Sequence, residues 1–243
     1  FPYTTLFRSV KKADVVIFIG GLNKNQYQEC EGDDRKSYEL PYGQNELISS
    51  ISKVNKNIVV VNISGSGVAM PWTNDVKSVV QVWYMGSESG NAIANVLTGK
   101  VNPSGKLPFS IPFRLEDCGA HAFDSLSYPG NGTDVFYKED ILVGYRWFDT
   151  KKIPVNFSFG HGLSYTTFDY GKITTDKTTL FKGDSIQLSL SVKNTGEING
   201  SEVVQLYIRD IKSSVLRPSK ELKSFRKLSL KPTETAVVTF CIT

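Results

Sequence analysis

The sequence predicts an α/β domain with a mostly parallel sheet, followed by an all-β domain built as an antiparallel sandwich. Two observations predict this order. Short, continuous apolar runs alternate with helical stretches from Ala13 to about Phe113, and period-2 alternation replaces them after Phe168. A length of 243 residues allows two domains that each bury a core.

Three apolar runs predict strands in the first part: "ADVVIFIGG", "NIVVVNISGSG" and "VKSVVQVWYMG". The first is a continuous β-branched run that ends in glycine, which is typical of a strand buried on both faces. The stretches "GQNELISSISKVN" and "SESGNAIANVLTGK" predict helices, and Gly99 is placed to end the second. In parallel sheets, ligand sites lie in the loops past the carboxyl ends of the strands. The acidic loop "YQECEGDDRKSYELP", residues 27–41, follows the first strand at such a position.

The second part contains four alternating runs separated by turn residues: "DSIQLSLSVKNTG", "SEVVQLYIRD", "KELKSFRKLSL" and "TAVVTFCIT". They predict a sandwich of the immunoglobulin or fibronectin type III kind. Such a sandwich has about seven strands, so we expect the carboxyl terminus to be truncated. The opening "FPYTTLFRS" resembles a translated sequencing adapter, so we expect residues 1–9 to be an artefact and the native sequence, truncated there as well, to begin near Val10.

Composition argues against several classes of function. The 28 basic and 24 acidic residues are scattered without a basic block, which gives little support for nucleic-acid binding, and no apolar run approaches the length of a membrane span. The cysteines Cys30, Cys118 and Cys241 lie far apart, and we interpret them as free thiols or core residues. With only two histidines, a zinc site or a histidine-based triad is not expected, and we predict no cofactor and no metal.

Several segments in order carry a resemblance to the carboxyl-terminal half of a family 3 glycoside hydrolase of the β-glucosidase or β-xylosidase kind. After the acidic loop they are "GQNELI", "WYMGSESGNAIANVLTGKVNPSGKLPFSIP", "VFYKEDILVGYRWFD", "FSFGHGLSYTTFDY" and "VKNTGEINGSEVVQLYIRD". The resemblance implies an amino-terminal barrel domain that this chain lacks. It also implies an α/β domain at 10–113, a linker with barrel-packing segments at 114–168, and a fibronectin type III-like domain at 169–243.

The resemblance further implies a retaining, exo-acting enzyme that hydrolyses terminal β-D-glucosyl or xylosyl residues through two carboxyl groups. The nucleophile, an aspartate in the family, belongs to the barrel, so no residue here takes that role and we expect the chain alone to be inactive. We expect the full-length protein to be secreted or periplasmic. Its partners are then a β-linked glycoside and its own barrel, with no nucleic acid and no membrane.

The pattern "E-x-E-G-x-D-R" in the acidic loop resembles the family's acid/base loop. It implies that Glu29 is the acid/base, with Glu31 as the runner-up. A general acid must be protonated near neutrality, which requires a pKa raised by burial or by another carboxylate. Arg35 would lower the pKa of a carboxylate that it touched, so we expect it to pair with Asp34 or Asp33 and brace the loop.

Two other classes of function remain open at this point. A non-catalytic carbohydrate-binding or adhesion module would need no acid at Glu29. A family member with phosphorylase or N-acetylhexosaminidase activity would place a histidine acid/base in the barrel, and the acidic loop argues against it. We expect Trp83 and Tyr84, at the end of the third strand, to fill the core, although such rings also stack on sugars. His161 is a conceivable cleft residue, but a loop histidine between glycines is more often structural.

Overall fold

The computed structural model describes residues 3–33 and 35–243, and these residues form two compact units. The first comprises the chain up to Ile93 together with 110–138 and 154–157. The second comprises 94–109, 139–153 and 158–243. The domain boundaries expected from the sequence remain a prediction, as does the adapter origin of residues 1–9, which overlap the first helix.

Regular elements alternate in the first part of the chain. In order they are α1 (Tyr3–Lys12), β1 (Val16–Gly21), α2 (Gln44–Val54), β2 (Ile58–Ile63), β3 (Ser78–Val82), α3 (Ser89–Leu97) and β4 (Ile111–Pro112). All three predicted strands and both predicted helices are confirmed. Gly99 follows α3 with a φ of 72°, a left-handed conformation that suits glycine at the end of a helix.

The sheet of the first unit has the strand order β1-β2-β3, and both pairs are parallel. The central strand β2 is almost completely buried at Ile58, Val60 and Val61. Its continuous apolar sequence is explained by this position, because both faces of a central parallel strand are covered. All three strands therefore run the same way and end at one edge of the sheet.

The expected burial of β1 on both faces is wrong. Ile17 and Ile19 are 50% and 56% exposed, whereas Val16 and Phe18 on the other face are half-buried. β1 is the edge strand of the described sheet, and α2 contacts it. A continuous apolar run predicts a strand, but what packs on each of its faces is decided by the neighbouring elements.

The remaining elements are α4 (Tyr145–Lys151), β5 (Val155–Phe157), β6 (Phe168–Tyr170), β7 (Thr174–Thr175), β8 (Ile186–Asn194), β9 (Gly200–Ile208), β10 (Glu221–Leu230) and β11 (Thr235–Ile242). The four predicted runs are confirmed as β8 to β11. One sheet has the order β11-β8-β6, with β7 also on β8, and the other pairs β10 with β9; all of these pairs are antiparallel. α4 was not predicted, and it lies in the stretch that the sequence assigns to a linker.

Alternation along the strands builds the core of the sandwich. Its buried members are Val192, Val204, Leu206, Leu230, Val238 and Phe240. The three cysteines are free thiols. No helix within residues 3–33 and 35–243 is long and apolar enough to cross a membrane.

Two adjacent valines of β11 test the two-faced packing of this sandwich. Val238 is 3% exposed and Val237 is 70% exposed. We expect Val238→Ala to lower the free energy of unfolding by about 2 kcal/mol, since it removes two buried methyl groups and leaves a cavity. Val237→Ala should change it by less than about 0.5 kcal/mol. Urea unfolding followed by circular dichroism measures both, and equal effects would contradict the assigned faces.

Limited proteolysis tests the predicted linker. No helix or strand lies between His121 and Tyr145, and Tyr137 is 74% exposed in that stretch. We expect chymotrypsin to cut first between about Pro112 and Phe168, near Tyr137, because a protease needs an extended, accessible segment. Mass spectrometry of the first fragments locates the cut. Initial cleavage inside α2 or the strands β8 to β11 would mean that the boundary is misplaced.

Candidate functional site

The carboxyl end of β1 is fixed by close packing on β2. Gly21 has a φ of 139°, and a Cβ there would lie 1.9 Å from the backbone oxygen of Ile63, so only glycine fits. The next residue, Leu22, donates its backbone N–H to that oxygen at 2.8 Å. The side-chain amide of Gln44 bonds both the N–H and the carbonyl of Gly21, at 2.8 and 2.9 Å. The acidic loop therefore starts from a defined point at the edge of the sheet.

Glu29 is the residue of this loop on which the neighbouring loops converge. Its oxygen Oε2 accepts hydrogen bonds from the backbone N–H of Gly65 at 2.6 Å and from the hydroxyl of Tyr84 at 2.5 Å. Its other oxygen, Oε1, accepts one from the hydroxyl of Ser66. Gly65 and Ser66 follow β2, and Tyr84 follows β3. The loops after all three parallel strands thus meet at one half-buried carboxylate.

A buried polar network holds two of these donors in place. Asn62, at the end of β2, donates to Gln81 at 2.7 Å and to the hydroxyl of Ser64 at 3.0 Å. The Ser64 hydroxyl donates in turn to the backbone oxygen of Ser66 at 2.8 Å. Asn62 and Ser64 are 1% and 0% exposed. Hydrogen bonds of this kind restrict the backbone that carries Gly65 and Ser66, although Oδ1 of Asn62 has no hydrogen-bond partner among the described residues.

The surroundings of Glu29 favour its ionised form. Burial raises its pKa, but hydrogen bonds from Ser66, Tyr84 and Gly65 and the positive charge of Arg35 outweigh burial, so the pKa lies below its ordinary value. The pKa of Tyr84 is raised by burial and by its hydrogen bond to Glu29, which keeps the phenol neutral. In this chain Glu29 is therefore a carboxylate among donors, whereas a general acid needs a raised pKa.

Arg35 braces the loop, but not through the expected partner. Its Nη2 donates to the backbone oxygen of Gly67 at 2.6 Å, and it faces the charge of Glu29. Among the described residues it forms no ion pair with Asp33, whose carboxylate lies 3.9 Å from the thiol of Cys30. Asp34, the other expected partner, lies outside the described residues. Arg35 therefore ties the acidic loop to the loop after β2.

The two candidate glutamates differ sharply in their surroundings. Glu31 is exposed, and its side chain takes part in no hydrogen bond or ion pair within residues 3–33 and 35–243. Glu29 is half-buried and has three donors. The structure thus places both residues in the same loop but fixes only one of them.

The interpretation of Tyr84 as a core residue is wrong. β3 ends at Val82, and Tyr84 is 52% exposed with its hydroxyl on Glu29, while Trp83 is half-buried. Sequence reasoning also missed Gly65 and Ser66. The signal for all three was available, because each lies at the carboxyl end of a predicted run of one parallel sheet and therefore belongs to the same edge.

His161, the other candidate for the cleft, belongs to a different unit from the carboxylate site. His161 lies in the second unit, where its backbone oxygen accepts from Leu107 at 2.8 Å and where burial and Lys106 lower its pKa. Within the described part of the chain, no group of three or more His, Cys, Asp or Glu side chains is arranged to hold a metal ion.

Comparisons with known proteins agree with this architecture. The sequence model of the Glycosyl hydrolase family 3 C-terminal domain matches residues 4–165, and that of the Fibronectin type III-like domain matches residues 202–243. A β-glucosidase of Bacteroides ovatus is 57% identical over 237 residues, which are 96% of this chain and 32% of that protein. The thermostable β-glucosidase B of Acetivibrio thermocellus is 46% identical over 235 residues, 97% of this chain and 30% of that protein.

Solved structures give the same result. The crystal structure of a β-glucosidase from Kluyveromyces marxianus superposes with a TM-score of 0.90 at 43% identity, covering 98% of this chain and 28% of that one. The chain spans about a third of the length of the curated relatives it matches. The family match extends over residues 4–165, well over half of the chain. From its sequence, its parallel sheet and its fibronectin type III-like sandwich together, the chain belongs to glycoside hydrolase family 3, as part of the carboxyl-terminal region of such an enzyme.

Proposed function

We propose that this chain is part of a retaining β-glycosidase that removes terminal β-D-glucosyl residues, and that Glu29 is its acid/base. The relatives reported above carry the name β-glucosidase, which favours a glucosyl over a xylosyl substrate. The aspartate nucleophile and most of the sugar contacts belong to a separate amino-terminal domain. The chain by itself therefore hydrolyses no glycoside.

The convergence of three loops on Glu29 carries this proposal. Ligand sites of parallel α/β sheets lie at the carboxyl ends of the strands, where this carboxylate is held. A group that transfers protons must be kept within hydrogen-bond reach of the reacting oxygen. Glu29 is fixed by Gly65, Ser66 and Tyr84, whereas Glu31 has no described partner that would hold it. Glu29 is therefore the better candidate.

The lowered pKa of Glu29 fits one half of a retaining mechanism directly. In the second step the residue must be a carboxylate in order to take a proton from the attacking water. In the first step it must be protonated, and the charge of a nucleophile carboxylate about 5–5.5 Å away raises its pKa for that purpose. Once the nucleophile is bonded to the sugar, this charge is gone. The pKa of Glu29 then falls towards the value set by its own donors.

The residues of this chain thus supply the proton and later remove one. As the nucleophile bonds to the anomeric carbon, the electron pair of the C–O bond moves to the departing glycosidic oxygen, and Glu29 gives that oxygen its proton. It then takes a proton from water as the water attacks the anomeric carbon and releases the nucleophile. Arg35 and the three donors stabilise the carboxylate formed between these steps. No feature of the described residues favours a binding module without chemistry.

Replacement of Glu29 in the full-length protein tests the assignment. We expect Glu29→Ala to slow hydrolysis of cellobiose by about 10²–10⁴-fold, since the poor leaving group needs protonation. Activated aryl β-glucosides should lose less in the first step, and the glycosyl-enzyme should accumulate because no base activates water. Azide needs no base, so it should restore turnover and yield a β-glucosyl azide, detectable by NMR.

Glu31→Ala is the matched control, with the same side chain removed two positions along the loop. It should show neither the selective loss nor the azide rescue. Rescue in Glu31→Ala alone would move the assignment to that residue. Rescue in neither variant would place the acid/base outside this loop.

A further inference from the structure

We propose that Glu29 transfers its proton through one oxygen only, Oε1, and that Tyr84 is the positioning residue that enforces this choice. This inference rests on the proposed function of Glu29. It goes further because it assigns the reacting oxygen and gives Tyr84 a role in the reaction.

The hydrogen bonds of the carboxylate define one open position. A carboxylate has two oxygens with about four lone-pair sites in its plane. Gly65 and Tyr84 both donate to Oε2, at 2.6 and 2.5 Å, so that oxygen has no site left. Ser66 donates to Oε1 and fills one of its two sites. The remaining site of Oε1 is the position that can carry a transferable proton.

The Gly65 donor on Oε2 cannot readily give way. A backbone N–H has no rotational freedom, and the buried network around Asn62 and Ser64 fixes the segment that carries Gly65. A Cβ at Gly65 would lie 3.1 Å from Oε2 and 3.3 Å from the ring of Tyr84, so any side chain there would push on both groups. The tyrosine hydroxyl and the glycine N–H therefore act as a clamp on a single oxygen.

This clamp has a consequence for each chemical step. In the first step the proton leaves Oε1 for the glycosidic oxygen, and Oε2 keeps both of its hydrogen bonds throughout. In the second step the proton of the attacking water returns to Oε1. If Tyr84 no longer donated, a site on Oε2 would open and the proton could reside on the oxygen turned towards Gly65, where it is lost for the reaction.

The charged and titratable groups facing Glu29 in the described part of the chain are few. Arg35 comes from its own loop and Tyr84 from the segment after β3, while the β2 loop contributes only Gly65 and Ser66. A donor to a carboxylate stabilises the charged form and lowers its pKa, so removing the donor raises the pKa. Loss of the Tyr84 hydroxyl should therefore move the titration of Glu29 to higher pH.

The first test uses the 243-residue chain itself. Carboxyl ¹³C NMR of protein labelled at glutamate Cδ follows the titration of Glu29, with the signal assigned by Glu29→Gln. We expect Tyr84→Phe to raise the Glu29 pKa by about 0.5–1 unit, the size of one charge-assisted hydrogen bond at a partly exposed site. Tyr170→Phe is the matched control, because Tyr170 donates to Glu202 at 2.9 Å in the sandwich. It should leave the Glu29 titration unchanged.

The second test uses the full-length protein. Activity that depends on protonated Glu29 falls as the pH rises through its pKa, so Tyr84→Phe should shift the alkaline limb of kcat/KM upward by the same 0.5–1 unit. It should also lower kcat for cellobiose about tenfold, and kcat for a dinitrophenyl glucoside much less, because only the former needs the proton. Ser66→Ala should also shift the alkaline limb to higher pH, because it removes a donor to Glu29. It should lower kcat for cellobiose less than Tyr84→Phe does, since both hydrogen bonds to Oε2 remain.

Separate outcomes overturn the inference and the proposed function. If azide rescues Glu29→Ala, but Tyr84→Phe changes neither the pKa of Glu29 nor the alkaline limb of kcat/KM, then Tyr84 has no positioning role. If Ser66→Ala lowers kcat for cellobiose more than Tyr84→Phe does, the assignment of the transferred proton to Oε1 is wrong. If azide rescue fails while NMR still shows the Tyr84 shift, the hydrogen bond stands but the proposed function falls, and the inference falls with it.

Discussion

The parallel pairing of β1, β2 and β3 is the constraint on which the candidate site depends. Because the three strands run in one direction, the loops that follow them leave the sheet at the same edge. Gly21 sets the tightest point of this arrangement, since its Cα packs on the backbone oxygen of Ile63 at a distance that excludes any side chain. A shift of β1 along β2 would carry Glu29 away from Gly65 and Ser66.

The site is also an electrostatic balance. Burial alone would push Glu29 towards its neutral form, and the three donors and Arg35 push it towards the carboxylate, with the second effect larger. The surroundings in this chain therefore favour the ionised form of Glu29. Protonation requires a further negative charge, which in the proposed mechanism comes from the nucleophile of another domain.

A second glutamate in the chain shows what distinguishes a structural carboxylate from this one. Glu202, in the sandwich, also accepts a hydrogen bond from a tyrosine, Tyr170 at 2.9 Å, but it is paired with Lys106 at 3.1 Å and is 9% exposed. A direct ion pair in a buried place fixes the charge and leaves no access for a substrate. Glu29 has neutral donors, partial exposure and one open lone-pair site. The same pair of residue types is thus buried beside an ion pair in one unit and partly exposed among neutral donors in the other.

The sequence by itself determined the order of the main strands and helices and the location of the candidate loop. Apolar runs and period-2 alternation are local properties of the chain, so they identified β1 to β3, α2, α3 and β8 to β11 without tertiary information. The residues of the motif around Glu29 and Gly32 are close in sequence, so the motif could also be recognised without the tertiary structure. Only the tertiary structure decided how Tyr84 and Ser66, 55 and 37 positions away from Glu29, bind its two oxygens. It also decided that Ile17 stays exposed and that Arg35 binds Gly67, because burial and pairing are set by whatever neighbours the fold brings into contact.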